Sequence, residues 1–238
     1  MQPILHIEQD GDALARAAAD WILQRLDAST GPFALNLSGG STPKKLYALL
    51  ASDAYRSRIP WDRVHLFFGD ERYVPHDHPD SNFLMADESL IAHVPIPAAN
   101  VHAIPSGPTP AEAAAAYEKT LKAFYGAETI DPKRPLFAVT LLGLGPDGHT
   151  ASLFPGIPAL DERKAWVLPV IGEKPPPQRI TLTFPVLDSS AAVAFLMAGA
   201  EKHPMIERLR KGDTSIPSGR IAPHGELHWF MDKAAAEG

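Results

Sequence analysis

An aspartate and a histidine two residues apart, Asp147 and His149, are the side chains of this sequence best suited to catalysis. A carboxylate beside an imidazole can orient the ring and support its positive charge, as a general base requires. Both lie in the glycine-rich string Gly143–His149, directly after the apolar run Leu136–Leu142. That run predicts a buried strand, and the carboxyl ends of parallel strands are where α/β sheets bind ligands. A histidine is more often structural, but this position favours catalytic roles for His149 and Asp147.

The same string also matches G-x-G-x-x-G, the fingerprint of dinucleotide-binding loops. That motif should open a helix of several turns in the first βαβ unit of a domain. Here Pro155 follows His149 by six residues, and the string lies in the second half of the chain. The dinucleotide interpretation is therefore the weaker one, and we expect no cofactor.

A second polar loop follows the predicted strand at 33–37 and leads into a predicted helix at 44–51. Its glycines, hydroxyls and helix N-terminus are suited to holding a phosphate. It lacks the spacing of a P-loop and of a nucleophile elbow, so Ser41 is a poor candidate nucleophile. The alternative is an ordinary turn with a helix cap. The residues predicted to bind phosphate are Ser38, Gly39, Gly40, Ser41 and Thr42.

A third group of polar residues follows the predicted strand at 64–68. Arg72 has the planar fork that pairs with a phosphate or carboxylate. Asp70 and Glu71 can act as acids, bases or acceptors for sugar hydroxyls. The alternative is a solvated loop with internal ion pairs. Lys202, after the predicted strand at 192–197, can reach an anion at the same edge or simply remain exposed.

The nearby His76, Asp77 and His78 raise the possibility of a metal site. A metal needs further ligands from elsewhere in the chain, and the sequence offers no second cluster. We therefore expect a solvated loop here and no metal.

Alternating helical and strand patterns predict the α/β class, with a mainly parallel, Rossmann-like sheet covered by helices on both faces. In such a sheet the three polar strand ends converge on one edge. We expect a single domain over residues 1–238. Helices are predicted at 12–26, 44–51, 81–91, 109–125 and 201–211, and strands at 33–37, 64–68, 136–142, 167–170, 180–184, 192–197 and 227–231.

Composition narrows the partners. The net charge is −6 with no block of basic residues, which argues against nucleic acid and anionic membranes and leaves a small molecule. The absence of cysteine excludes disulfides, thiolate metal sites and a cysteine nucleophile. Without a secretory signal or a membrane-length apolar run, we expect a cytoplasmic protein.

Taken together, three strings resemble the 6-phosphogluconolactonase family in order and approximate spacing. They are Leu37–Pro43, Gly69–Val74 and Gly143–Pro155, and the stretches at 179–183 and 199–202 also fit. The similarity extends from about residue 10 to residue 234. It implies hydrolysis of 6-phospho-D-glucono-1,5-lactone to 6-phosphogluconate, the second step of the oxidative pentose phosphate pathway.

The resemblance also implies roles for single residues. The Ser38–Thr42 loop, with Lys202 and Arg72 nearby, would hold the phosphate, and His149 would activate water. Asp147 would orient His149 or bind the sugar, and Arg72 or backbone N–H groups of the glycine loop would stabilise the oxyanion. The resemblance adds Gly145 and Arg179 to the substrate-binding residues.

Two other functions remain open. Glucosamine-6-phosphate deaminases share the implied fold, but they carry a glutamate after the Asp-Gly-His string, where this chain has Thr150–Phe154. A sugar-phosphate sensor without turnover would be expected to carry a DNA-binding segment, and this sequence offers neither room nor charge for one. The segment Ile216–Ile221 departs from the family pattern and puts local packing or the substrate rim in question.

Overall fold

The computed structural model describes residues 2–238, which form two β-sheets and the helices that connect them. The strands of these residues are β1 (Ile4–Glu8), β2 (Phe33–Leu37), β3 (Val64–Phe68), β4 (Asp70–Arg72), β5 (Val139–Leu142), β6 (Val167–Ile171), β7 (Gln178–Leu182), β8 (Ala192–Met197) and β9 (Glu226–Asp232). The larger sheet has the order β1-β9-β8-β5-β2-β3, and all its strand pairs are parallel. The predicted α/β class with a mainly parallel sheet is confirmed.

The described residues form eight α-helices, three more than the sequence predicted. They are α1 (Gly11–Ala28), α2 (Ser41–Leu50), α3 (Asp53–Arg56), α4 (Asn82–Ser89), α5 (Pro110–Tyr125), α6 (Phe184–Asp188), α7 (His203–Arg210) and α8 (Lys233–Glu237). The two longest begin at side-chain caps. Asp10 accepts hydrogen bonds from the first N–H groups of α1, and Thr109 accepts one at the start of α5. Gly126, with φ of 75°, ends α5 in the left-handed conformation that favours glycine.

Burial explains why the central strands have apolar sequences without alternation. Every residue of β2, β5 and β8 is buried, as expected for parallel strands covered on both faces. β1, by contrast, lies at the edge of the sheet and leaves Ile4, Leu5 and Ile7 about half exposed. This short strand and α8 were not predicted.

The second sheet is the main departure from the predicted fold. It is antiparallel, with the order β4-β7-β6, so the predicted strands at 167–170 and 180–184 do not belong to the parallel sheet. β4, Asp70–Arg72, was not predicted as a strand. It extends because it pairs with β7, far along the chain. The strand predicted up to Phe184 ends at Leu182, and Phe184 begins α6 instead.

The topology brings four chain segments to one edge of the larger sheet. Strands β8, β5, β2 and β3 are adjacent and parallel, so their carboxyl ends lie side by side. Each is followed by one of the polar segments singled out in the sequence.

Candidate active site

A cavity of about 290 Å³ opens where these four segments meet. It is lined by Ser38, Gly39, Gly40, Ser41, Thr42, Pro43, Asp70, Arg72, Asn82, Gly143, Leu144, Gly145, Pro146, His149, Thr150, Ala151, Arg179, Leu196, Ala198, Glu201 and Lys202. All but two of the predicted site residues are therefore brought together in one cavity. The exceptions are Asp147, which lies beside it, and Glu71.

The Ser38–Thr42 loop forms one wall of the cavity. Gly40 has φ of 113°, a conformation that side chains rarely adopt, and no side chain caps the start of α2. Gly39 lies so close to Asn82 that a Cβ atom there would fall 2.1 Å from the amide oxygen. The uncapped helix N-terminus presents N–H groups and the positive end of its dipole to the cavity, which suits an anion.

Lys202 approaches the same region from the end of β8. Its Nζ donates a hydrogen bond to the backbone oxygen of Leu144, 2.9 Å away, within the glycine-rich string that also carries His149. The ammonium group is thus fixed beside both loops.

Asp147 and His149 form a direct pair. His149 Nδ1 lies 2.5 Å from Asp147 Oδ1, and the same oxygen accepts the His149 backbone N–H at 3.1 Å. Because a carboxylate oxygen can only accept, the proton of a neutral ring lies on Nδ1 and the lone pair on Nε2. Partial burial alone would raise the pKa of Asp147, but the two hydrogen bonds from His149 bring it below its usual value.

Two neighbours hold the His149 ring in place. A Cβ atom at Gly145 would fall 2.1 Å from Nδ1, so only glycine leaves room for the ring. Phe154 packs against the other side, with ring centres 4.8 Å apart. Gly145 thus creates the space that the imidazole occupies.

Arg72 and Arg179 line the cavity together, opposite each other on the antiparallel strands β4 and β7. Arg72 donates to the Asp80 carbonyl, 2.6 Å away, and its buried Nε has no partner among residues 2–238. Arg179 donates from Nε to the Pro176 carbonyl at 2.8 Å. Burial and the neighbouring Arg72 charge both lower the pKa of Arg179. Two positive charges placed opposite each other repel when no ligand is bound, and an anion bound beside both of them compensates for this repulsion.

Asp70 also faces the cavity. Its carboxylate accepts hydrogen bonds from Ser152 Oγ at 2.6 Å and from Asn82 Nδ2 at 3.3 Å, which fix its orientation. Ser152 lies in the segment that follows His149, so this contact joins the Gly69–Arg72 segment to the chain that follows the Gly143–His149 string.

Glu71 does not line the cavity, contrary to the prediction that it binds substrate. Its carboxylate is buried and accepts the N–H groups of Asn82 and Phe83, at 2.7 and 2.8 Å, and the Ser81 hydroxyl at 3.0 Å. Burial raises the pKa of Glu71 despite these bonds. The residue is a structural cap at the start of α4.

Sequence reasoning missed three polar residues of the cavity, Asn82, Thr150 and Glu201. Asn82 begins α4, and its Nδ2 donates to the Asp70 carbonyl at 2.9 Å. A polar residue in the first turn of the helix predicted at 81–91 was the only available signal. Glu201 precedes Lys202 and was noted only as part of that turn.

Other sequence features lie outside the cavity. His76 hydrogen-bonds the Ile104 carbonyl and stacks on Phe83. Within residues 2–238, no three histidine, aspartate or glutamate side chains come together as metal ligands. The segment 216–221 packs against the Gly143–His149 string: the Ser218 N–H donates to the Gly148 carbonyl at 2.9 Å, and Ile216 packs on Gly148.

The chain after Gly143–His149 folds into turns. Gly145 N–H bonds the His149 carbonyl, and Leu153 N–H bonds the Thr150 carbonyl. The described residues place no long helix here, so the helix that a dinucleotide loop requires is missing. None of the helices in the described part of the chain is long and apolar enough to span a membrane.

Comparisons with known proteins identify the family of the chain. The pattern of the family described as glucosamine-6-phosphate isomerases/6-phosphogluconolactonase matches residues 9–229. The chain is 42% identical to a 6-phosphogluconolactonase of Nostoc sp., over 99% of this chain and 98% of the relative. It is 39% identical to a 6-phosphogluconolactonase of Rattus norvegicus, over 95% and 88%.

Solved structures show the same similarity. The 6-phosphogluconolactonase from Trypanosoma cruzi superposes with a TM-score of 0.86 and 30% identity, over 100% of this chain and 97% of the other. A monomeric glucosamine-6-phosphate deaminase superposes with a TM-score of 0.83 over 98% of each chain. At 18% identity this similarity shows a shared fold and not a shared reaction.

Proposed function

The chain belongs to the family of glucosamine-6-phosphate isomerases and 6-phosphogluconolactonases, and we propose that it hydrolyses 6-phospho-D-glucono-1,5-lactone to 6-phospho-D-gluconate with His149 as general base. One observation carries this proposal: a single cavity combines an anion-binding helix N-terminus with a carboxylate-supported imidazole. The substrate needs both, because it has a phosphate at one end and an activated ester at the other.

The phosphate binds at the start of α2. The N–H groups and hydroxyls of Ser38–Thr42 surround it, and Lys202 supplies a positive charge from the opposite side. Fixing the phosphate converts attack on the lactone into a reaction between positioned groups, which lowers its entropic cost.

His149 performs the proton transfers. Its Nε2 takes a proton from water as the oxygen attacks the lactone carbonyl carbon. When the tetrahedral intermediate collapses, the bond between that carbon and the ring oxygen breaks, and His149 returns the proton to the ring oxygen. Asp147 keeps the proton on Nδ1 and stabilises the imidazolium formed in between. No covalent intermediate with the protein is required.

The oxyanion forms near the paired arginines. Arg72 lines the cavity, its buried Nε has no hydrogen-bond partner among residues 2–238, and Arg179 lies directly opposite it. Positive charge held in advance stabilises charge that develops in the transition state. In this arrangement Lys202 binds the phosphate, and Arg72 mainly stabilises the oxyanion together with Arg179.

The sequence after His149 supports lactone hydrolysis over deamination. Thr150 and Ser152 occupy the stretch where the deaminases carry a glutamate for ring opening, and both hydroxyls make structural bonds. Thr150 Oγ1 donates to the Gly143 carbonyl at 2.9 Å. No carboxylate follows His149 before Asp161.

The test is a lactone assay. 6-Phosphogluconolactone is generated in situ, and its disappearance is followed with and without the protein near neutral pH, where spontaneous hydrolysis sets the background. Wild type should accelerate the reaction, and His149→Ala should lose most of the turnover while still binding 6-phosphogluconate. A His149→Ala variant with a near-normal rate refutes the general base. A wild type without acceleration, but with ammonia release from glucosamine 6-phosphate, refutes the reaction itself.

A further inference from the structure

We propose that Tyr47 is a positioning residue for phosphate binding, because its hydroxyl holds the peptide groups on both sides of Ser38. The Tyr47 oxygen accepts the Ser38 N–H at 2.9 Å and donates to the Ser38 carbonyl at 2.8 Å. This inference rests on the proposed function, which makes Ser38–Thr42 the phosphate-binding loop. Tyr47 itself does not line the cavity.

The need for this contact follows from the end of β2. The register of β2 with β5 stops at the pair Asn36–Thr140, so Ser38 lies beyond the last paired residue. Ser38 is buried, and buried backbone groups require partners. The Tyr47 hydroxyl supplies both an acceptor and a donor for Ser38, as a neighbouring strand does inside a sheet.

The hydroxyl can fill both roles because it stays protonated. Tyr47 is fully buried in the core, and this burial raises the pKa of its hydroxyl. A protonated phenol keeps one hydrogen to donate and lone pairs to accept.

Tyr47 also joins the two elements that the loop connects. It lies on α2, whose first turn supplies the N–H groups for the phosphate, and its hydroxyl binds the end of β2. The residues between are glycines, Gly39 and Gly40, which have no side chains to hold the backbone. This hydroxyl therefore connects the end of the strand directly to the helix whose N-terminus binds the phosphate.

The protein contains a matched control. Tyr117 is equally buried, and its hydroxyl accepts the Phe68 N–H at 2.8 Å and donates to the Phe68 carbonyl at 3.1 Å. The two tyrosines make the same chemical contact at the ends of neighbouring strands. Only Tyr47 is attached to the phosphate-binding loop.

The experiment compares Tyr47→Phe with Tyr117→Phe. Each variant keeps the ring and loses two buried hydrogen bonds, so thermal unfolding should shift by a similar amount, about 3–8 °C. Tyr47→Phe should raise KM, and the Kd values of inorganic phosphate and 6-phosphogluconate, about tenfold, with kcat within about threefold. Tyr117→Phe should leave the phosphate Kd within about twofold of wild type.

Two outcomes overturn the proposal. Unchanged phosphate affinity in Tyr47→Phe shows that the contact is only structural, and equal losses in both variants show a general effect of destabilisation. The binding measurement is separate from turnover, so a wild type that binds phosphate without hydrolysing the lactone refutes the proposed reaction alone.

A second measurement covers the case in which Tyr47→Phe does not fold. Hydrogen exchange of the Ser38 amide in wild type should be as slow as that of the β2 amides, because Tyr47 accepts its proton. Exchange of this amide at the rate of exposed loops overturns the proposal.

Discussion

The charge of Asp147 can be separated from its hydrogen bond by the substitution Asp147→Asn. The amide oxygen can still accept from His149 Nδ1, so the ring keeps its orientation, but the negative charge is lost. The charge matters when His149 holds the proton of the attacking water, since imidazolium then lies beside the carboxylate with 2.5 Å between Nδ1 and Oδ1. We therefore expect a loss in kcat and little change in KM.

The magnitude follows from the exposure of the pair. Two unit charges centred about 4 Å apart interact by about 1 kcal/mol in water and about 4 kcal/mol at an effective dielectric constant of about 20. The side chains of His149 and Asp147 are 29% and 44% exposed, which places the pair between these limits. A loss of about 2–3 kcal/mol lowers kcat by about 30- to 150-fold.

The assay is lactone hydrolysis at saturating substrate, with 6-phosphogluconate affinity measured in parallel. Asp147→Ala, which removes both the charge and the hydrogen bond, should be slower than Asp147→Asn. If Asp147→Asn retained more than half of the wild-type kcat, the carboxylate would not support the imidazolium, and the argument from charge would be wrong. Weaker binding of 6-phosphogluconate with unchanged kcat would instead place Asp147 on the sugar.

Two further predictions concern a cation and a buried acid. Lys202→Ala should raise KM about 10- to 100-fold with kcat within about threefold, since a charge-assisted bond to phosphate is lost; an unchanged KM in steady-state kinetics removes Lys202 from the phosphate site. Burial raises the pKa of Asp188 from 3.8 to about 6. Between these two pH values the folded protein keeps a proton on Asp188 that the unfolded chain has lost. Stability should fall as pH rises from about 4 to about 6, by up to about 3 kcal/mol in total. Asp188→Asn can still accept the Ala222 N–H. The variant should thus unfold at a higher denaturant concentration than wild type at pH 7 and lose this advantage near pH 4. A constant difference across that pH range would contradict the assignment.

The location of the site was predictable because its signals are local. Glycines and polar residues follow apolar runs at Ser38–Thr42, at Gly69–Arg72 and at Gly143–His149. These segments then converge because a parallel sheet brings the carboxyl ends of adjacent strands together. No long-range pairing had to be known for these residues to converge.

The error at Glu71 has the opposite cause. No strand was predicted for residues 70–72, and outside a strand neighbouring side chains can all face a ligand. They form β4, in which side chains alternate between faces. Asp70 and Arg72 therefore face the cavity, and Glu71 points away into the start of α4. The partner that makes this segment a strand, β7, lies too far along the chain for a local pattern to reveal.

The cavity cations are held in a way that fits an anionic substrate. Arg72, Arg179 and Lys202 each donate to a backbone carbonyl, and within residues 2–238 none of them forms an ion pair with a carboxylate. A carbonyl fixes the direction of a cation without neutralising it. A chain of net charge −6 thus keeps three oriented positive charges at one cavity, and a phosphorylated ligand can bind there without first breaking an ion pair.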